Sequence, residues 1–154
     1  MISFLVPYLL IVFNNLNIDN VPMNEFELPA TWTKDFTITY SYNGNRDGSQ
    51  TELKFSYDSC SYMIQRGMNT PLEGTFPMKE TSRAEILKKM HELKVNTIKS
   101  EASKHPFDDG HYKTLCFGHH CIPGGSFTKI SEKDREIFSD AYTYLTGFAE
   151  KESK

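Results

Sequence analysis

The chain has 154 residues, which fits one domain of ordinary size with a single modest hydrophobic core. An aromatic fraction of 13% and a net charge of -3 exclude an intrinsically disordered chain, which would combine few aromatic residues with a large net charge. Lys and Arg form no cluster of the kind that a nucleic-acid-binding surface needs, so nucleic acid is excluded as a partner.

The N-terminus is the first informative segment, because residues 4–13 (FLVPYLLIVF) are almost continuously apolar and residues 14–20 are polar. The run is too short to span a bilayer, which takes about 20 residues, and its length is typical of a secretory signal peptide. No Lys or Arg precedes it, and no A-x-A-like cleavage site follows. We predict a signal or export segment at residues 1–20, an exported protein and no membrane span in the mature chain. The alternatives are a buried strand in a cytoplasmic protein or a wrongly chosen upstream start codon.

Residues 21–34 contain Pro and are predicted to be a linker, and residues 35–150 are predicted to be one domain. Alternation of apolar and polar residues predicts strands over residues 36–42, 51–57 and 60–65. A further strand over residues 74–78 would lie at an edge, because Pro77 cannot donate to a central ladder. Gly44 and Gly48 are expected to supply positive φ angles in the first hairpin loop.

Two helices and a second hairpin are predicted in the rest of the chain. Ser82 and Glu85 have capping-box spacing, which predicts a helix from Ser82 to about Lys94. Strands follow over residues 111–117 and 120–122. A final helix begins at Ser131, and Asp134 is its acidic partner. Its predicted apolar stripe consists of Ile137, Ala141, Tyr144, Leu145 and Phe148.

This order, β-β-β(-β)-α-β-β-α, predicts an α+β fold with an antiparallel sheet of five to six strands and two amphipathic helices on one face. The first hairpins are rich in aromatic residues, namely Tyr40, Tyr42, Phe55, Tyr57 and Tyr62. Core and cross-strand packing is the preferred interpretation of these residues, with a ligand platform as the alternative.

The most suggestive chemical cluster is Cys116-Phe117-Gly118-His119-His120-Cys121. His119, His120, Cys116 and Cys121 are all side chains that can bind a transition metal. The Cys-x4-Cys spacing and the absence of a second Cys pair are atypical of zinc sites, so no metal is predicted.

Hairpin geometry offers another interpretation of the same residues. If Gly118-His119 is a two-residue type II′ turn, Cys116 lies directly opposite Cys121 in a non-hydrogen-bonded pair. A disulfide between them is then expected in an oxidising compartment, with Cys60 unpaired. Three reduced thiols packed as small apolar side chains remain the alternative. A turn at Gly124-Gly125 would exclude the disulfide, because Cys121 would then face Thr128.

The remaining candidates for chemistry are weaker. Asp108-Asp109-Gly110 before a strand is typical of a turn. No nucleophile lies in a recognisable catalytic motif and no Gly-rich loop opens a helix, so we predict no catalytic residues and no cofactor.

The order of elements resembles that of small exported proteins of bacterial envelopes, and it is also similar to small proteinaceous inhibitors of metalloproteases. The resemblance extends over residues 35–148. It is carried by the hairpin at Asn43-Gly44, the helix from Ser82 to Lys94, the strand that Asp109-Gly110 begins, and the final helix. It implies a binding function and assigns no residues.

We therefore expect a non-enzymatic exported binding module whose partner is another protein. A protease-inhibitor version would act through an exposed loop at residues 67–74 or 123–126. One alternative is a small metal-dependent hydrolase that uses His105, His111, His119 and His120 in the cluster near residues 105–121. Another is a structural subunit whose aromatic sheet face packs on a partner.

Overall fold

The computed structural model describes residues 26–44, 46–102 and 110–154. The export segment predicted at residues 1–20 lies outside these ranges, as do His105, Asp108 and Asp109. Six strands form the main sheet: β1 (Ile38–Gly44), β2 (Ser49–Phe55), β3 (Ser59–Gln65), β4 (Leu72–Pro77), β6 (His111–Phe117) and β7 (His120–Pro123). β5 (Ser100–Glu101) and β8 (Lys129–Ile130) pair as a second, small sheet. The helices are α1 (Glu80–Leu93) and α2 (Glu132–Glu152), with a 3₁₀ turn at Val95–Thr97.

The main sheet has the order β4-β3-β2-β1-β6-β7, and every neighbouring pair is antiparallel. Strands β1 to β4 form a meander, and the hairpin β6–β7 joins it beside β1. The predicted α+β class, the antiparallel sheet and the order of elements are confirmed. Strand β1 pairs with β6 although β2, β3, β4 and α1 lie between them in the sequence. The tight turns, which predict pairing only between consecutive strands, gave no indication of this pairing.

The register places apolar side chains on one face of the sheet, here called the inner face. Ile38 pairs with Phe55 and Phe117, and Phe55 in turn pairs with Cys60. The opposite, outer face carries mostly polar residues; Ser41, for example, pairs with Glu52 and donates a hydrogen bond to it. The alternation read from the sequence therefore separates a buried face from a solvated one.

Helix α2 packs on the inner face through aromatic contacts. Its Phe148 ring lies 6.2 Å from Phe55, and its Tyr142 ring stacks on Tyr40 at 5.1 Å. Aromatic residues of the sheet are thus used in packing, which agrees with the preferred interpretation of Tyr40 and Phe55 as core residues. The buried stripe of α2 consists of Phe138, Ala141, Leu145, Phe148 and Ala149, whereas Ile137 and Tyr144 flank it.

The predicted capping box at Ser82 is wrong. Helix α1 begins two residues earlier, at Glu80, and Lys79 is its N-cap without a side-chain hydrogen bond. The reason is tertiary: the buried Met78 donates its N–H to Asp58 O, which positions the chain for an earlier start. Glu85 instead accepts a hydrogen bond from Tyr144 of α2. The cap of α2 is confirmed, because Ser131 accepts from the Asp134 N–H.

The chain before β1 packs on the domain. Leu28 and Trp32 are each only 8% exposed, and the Trp32 Nε1–H donates to Phe36 O at 2.8 Å. Residues 26–34, which the sequence suggested were linker, therefore belong to the folded domain. Neither α1 nor α2, the helices of the described ranges, is long and apolar enough to cross a bilayer.

Candidate functional site

A cleft of about 480 Å³ opens between α2 and one end of the inner sheet face. Its floor is a row of residues paired across four strands: Lys113 with Tyr42, Tyr42 with Thr51, and Thr51 with Ile64. Three strand spacings give this row a length of about 14 Å. The floor is thus built from side chains that lie far apart in the sequence.

The roof of the cleft is a stripe of small or polar residues on α2. Thr143, Thr146, Gly147 and Glu150 follow one another at spacings of three, one and three residues and line the cleft. A Cβ at Gly147 would meet nothing within 4 Å, so no packing contact requires glycine there. Among the residues of α2 that line the cleft, Tyr142 is the one with a large ring.

Lys113 lies at one end of the floor between two tyrosine rings. Its Nζ is 4.6 Å from the centre of the Tyr142 ring and 5.5 Å from that of Tyr42. Nζ also donates a long hydrogen bond of 3.5 Å to the Tyr142 hydroxyl. Within the described ranges, no carboxylate forms an ion pair with this half-buried ammonium group.

The Tyr142 hydroxyl accepts two long hydrogen bonds. Ser139 donates to it at 3.5 Å, and this bond, together with the Lys113 charge, lowers the pKa of Tyr142 although burial acts in the opposite direction. Burial raises the pKa of the neighbouring Tyr40, whose ring stacks on Tyr142. Because Ser139 and Lys113 both donate to the Tyr142 oxygen, its own O–H remains able to donate into the cleft.

The other end of the cleft is closed by an ion pair between Arg66, which follows β3, and Glu150 of α2. Arg66 is largely exposed, so this pair adds little to stability. It does neutralise the carboxylate of Glu150. Lys113 is consequently the uncompensated charge among the described lining residues.

A second cleft of about 350 Å³ lies between the N-terminal segment and α1. Its Arg83 donates to Tyr57 O at 2.7 Å and to Met78 O at 2.8 Å, and its guanidinium lies 4.0 Å from the centre of the Tyr57 ring. Arg83 of α1 therefore holds together the turn between β2 and β3, which contains Tyr57, and the segment between β4 and α1, which contains Met78. We assign this cleft a structural role.

The hairpin that carries the Cys and His residues has the predicted register. Cys116 pairs with Cys121, and the two form a disulfide with a Cα–Cα distance of 4.0 Å. Gly118 has a φ of +59° and His119 is not among the residues with positive φ, as a type II′ turn requires. Cys116 also pairs with Thr39 of β1, so the disulfide lies on the outer face, away from the cleft. Cys60 is a free, buried thiol.

The candidate histidines His111 and His120 do not converge. The His120 ring stacks on Phe26 at 4.2 Å, whereas His111 lies at the opposite end of β6, where its Nδ1 is 3.3 Å from the Tyr42 hydroxyl. The seven residues from His111 to Phe117 span about 20 Å of strand. No group of three or more metal-binding side chains occurs within the described ranges, and both thiols of the hairpin are used in the disulfide.

The two loops expected to be exposed differ. Residues 68–75 are all exposed, and Met68 is 90% exposed. In contrast, Gly124 and Gly125 are buried: a Cβ at Gly124 would lie 2.4 Å from the Phe138 ring, and one at Gly125 would lie 2.2 Å from His111 O. Residues 123–126 therefore cannot serve as a protruding loop.

Sequence reasoning missed the cleft, although signals for it were present. Thr51 and Lys113 occupy inward positions two residues before the buried Leu53 and Leu115, and Gly147 interrupts a helix without ending it. Polar residues at core-facing positions are the informative exceptions to a buried pattern. These residues indicate a cleft only when the strand register, which places Lys113, Tyr42 and Thr51 in one row, is known.

No known protein family and no curated protein matches this chain.

Proposed function

We propose that this chain is a non-enzymatic, exported binding domain, and that the cleft between α2 and the sheet holds its ligand. The observation that carries the proposal is the cleft itself. Its volume of about 480 Å³ lies within the range of small-molecule sites, about 300–1,000 Å³. Its lining includes hydroxyl-bearing side chains and one uncompensated cation held on strands and a helix, and rigid elements position binding groups well.

Export is supported by two independent features. Residues 4–13 form an apolar run of signal-peptide length. The Cys116–Cys121 disulfide lies on the solvated face of the sheet, where Cys121 is exposed. An exposed disulfide persists in oxidising compartments and is reduced in the cytoplasm.

Binding in the cleft is tested by NMR titration of the full chain with a library of small organic acids, sugars, amino acids and amines. We expect at least one compound to shift the amide signals of Tyr42, Thr51 and Thr146 together. Thr146→Trp fills the cleft and should abolish these shifts. Glu136→Trp places the same side chain at an exposed position of α2 outside the cleft and should retain them. A library in which no compound shifts the cleft signals would refute the proposal.

A second candidate function, protease inhibition through the loop after β3, is favoured by the exposure of its apolar residues. Met68 is 90% exposed and Leu72, on the edge strand β4, is 45% exposed. Exposed apolar side chains on a loop beside a sheet edge are suited to insertion into a partner. The test is inhibition of a panel of secreted metalloproteases. Met68→Asp should abolish inhibition and the neighbouring Asn69→Asp should retain it, and a chain that inhibits none of the panel would refute this candidate.

A further inference from the structure

The charge of the cleft narrows the class of ligand. The ammonium group of Lys113 is half-buried, and its neighbours are two tyrosine rings and the Tyr142 hydroxyl. Aromatic faces compensate part of the cost of removing a cation from water, but they do not neutralise it. Since Arg66 and Glu150 neutralise one another, the described lining carries one net positive charge, although the whole chain has a net charge of -3.

The groups around Lys113 are donors or hydroxyls. The O–H of Tyr142 can donate into the cleft, because its oxygen already accepts from Ser139 and Lys113. Thr51 is the buried polar residue of the floor, and Thr143 and Thr146 line the roof. An anion at Lys113 would therefore receive a charge-assisted hydrogen bond and a tyrosine hydrogen bond, while the hydroxyls bind a polar body beside it.

Resting on the proposed function, we propose that the ligand is a hydroxylated organic anion whose carboxylate or phosphate group is bound by Lys113 and Tyr142. Its hydroxyl-bearing body lies along Thr51, Thr143 and Thr146 towards the Arg66–Glu150 pair. The length of the floor, about 14 Å, exceeds that of an isolated anion and fits a ligand of one or two sugar rings or their open-chain acids.

Matched pairs of ligands test the charge requirement in titrations of the full chain. Galacturonate is compared with galactose, and glucose 6-phosphate with glucose. We expect one anion to bind at least about tenfold more tightly than its neutral partner, the factor typical of one charge-assisted hydrogen bond. The pair that shows the preference distinguishes a carboxylate ligand from a phosphate ligand. Added salt should weaken the binding of the anion and leave that of the neutral sugar unchanged.

Two lysine substitutions locate the effect. Lys113→Met should reduce binding of the preferred anion at least about tenfold, whereas Lys54→Met, which removes the same charge from the outer face of β2, should change it less than about twofold. Lys113→Arg retains the charge and should retain the anion preference. If Lys113→Met fails to fold, this arginine variant and the salt titration of the unaltered chain decide the question.

The outcomes separate this inference from the proposed function. Cleft binding with no preference for either anion over its neutral partner, or equal losses in Lys113→Met and Lys54→Met, would overturn the assignment of an anionic ligand and leave a binding cleft. If no compound in either experiment shifts the cleft signals, both proposals fail.

Discussion

Replacing Gly147 by Ala should stabilise the protein, although glycine residues in folded chains are often required. Gly147 lies inside α2, five residues before its end at Glu152, and is exposed. A Cβ added there meets nothing within 4 Å. The substitution therefore gains the full difference in helix propensity, about 1 kcal/mol in the free energy of unfolding, without a steric cost. For a chain of this length, that gain corresponds to a rise in Tm of roughly 2–4 °C.

Gly124→Ala is the matched control, because it adds the same methyl group at a crowded position. Its Cβ would lie 2.4 Å from the Phe138 ring, which is only 2% exposed and has little room to move. Overpacking of this kind costs about 1–3 kcal/mol. The two variants are thus expected to change stability in opposite directions.

Urea denaturation measures both changes in the free energy of unfolding. Trp32 is the single tryptophan of the chain and is buried, so its fluorescence reports on the core, while far-UV circular dichroism reports on the helices. A Gly147→Ala variant less stable than the unaltered chain would refute the reasoning, because it would mean that α2 needs glycine for a contact absent from this structure. A gain would mean that Gly147 leaves the roof of the cleft open at a cost to the stability of the fold.

Three further predictions concern the caps and the cysteines. Ser131→Ala should lower the free energy of unfolding by about 1 kcal/mol, because Ser131 accepts a hydrogen bond from the Asp134 N–H at 3.1 Å. Ser82→Ala should change the free energy of unfolding by less than about 0.5 kcal/mol, because Ser82 does not cap α1. Equal losses of the two variants in urea denaturation would contradict the observed helix starts. Reduction of the Cys116–Cys121 disulfide, which closes a short loop, should lower the free energy of unfolding by about 2 kcal/mol. After mild reduction, two thiols should react with Ellman's reagent under native conditions, and the third should react only after unfolding. Three reactive thiols in the native protein would disprove the burial of Cys60. Burial raises the pKa of Cys60 from 9.0 to about 12, so above pH 9 the unfolded state loses the thiol proton before the folded state does. The free energy of unfolding should therefore fall by about 1.5 kcal/mol between about pH 9 and 10.5. Cys60→Ala should show a correspondingly shallower decline with pH, and identical slopes would contradict the raised pKa of Cys60.

Local features of the sequence predicted local structure well. Six of the strands lie within about two residues of their predicted bounds, because the alternation and the Gly-containing turns act over a few residues. The capping box at Ser82 shows where such reasoning fails: its residue types were suitable, but the hydrogen bond from Met78 to Asp58 started the helix earlier. The prediction that residues 123–126 form a protruding loop failed for the same reason. Gly124 and Gly125 lie in close contact with Phe138 and with the backbone of β6, so both glycines are buried.

The candidate site depended on information that no single segment contains. The sequence by itself determined the α+β class, the order of the elements, the cap at Ser131, and the turn that places Cys116 opposite Cys121. Only the tertiary structure decided that β6 pairs with β1, which puts Lys113 beside Tyr42. It also decided that α2 lies across this row. Periodicity and turn chemistry specify which face of a strand is buried, but the choice of neighbour across a long connection depends on the packing of the whole core, and the cleft exists because of that choice.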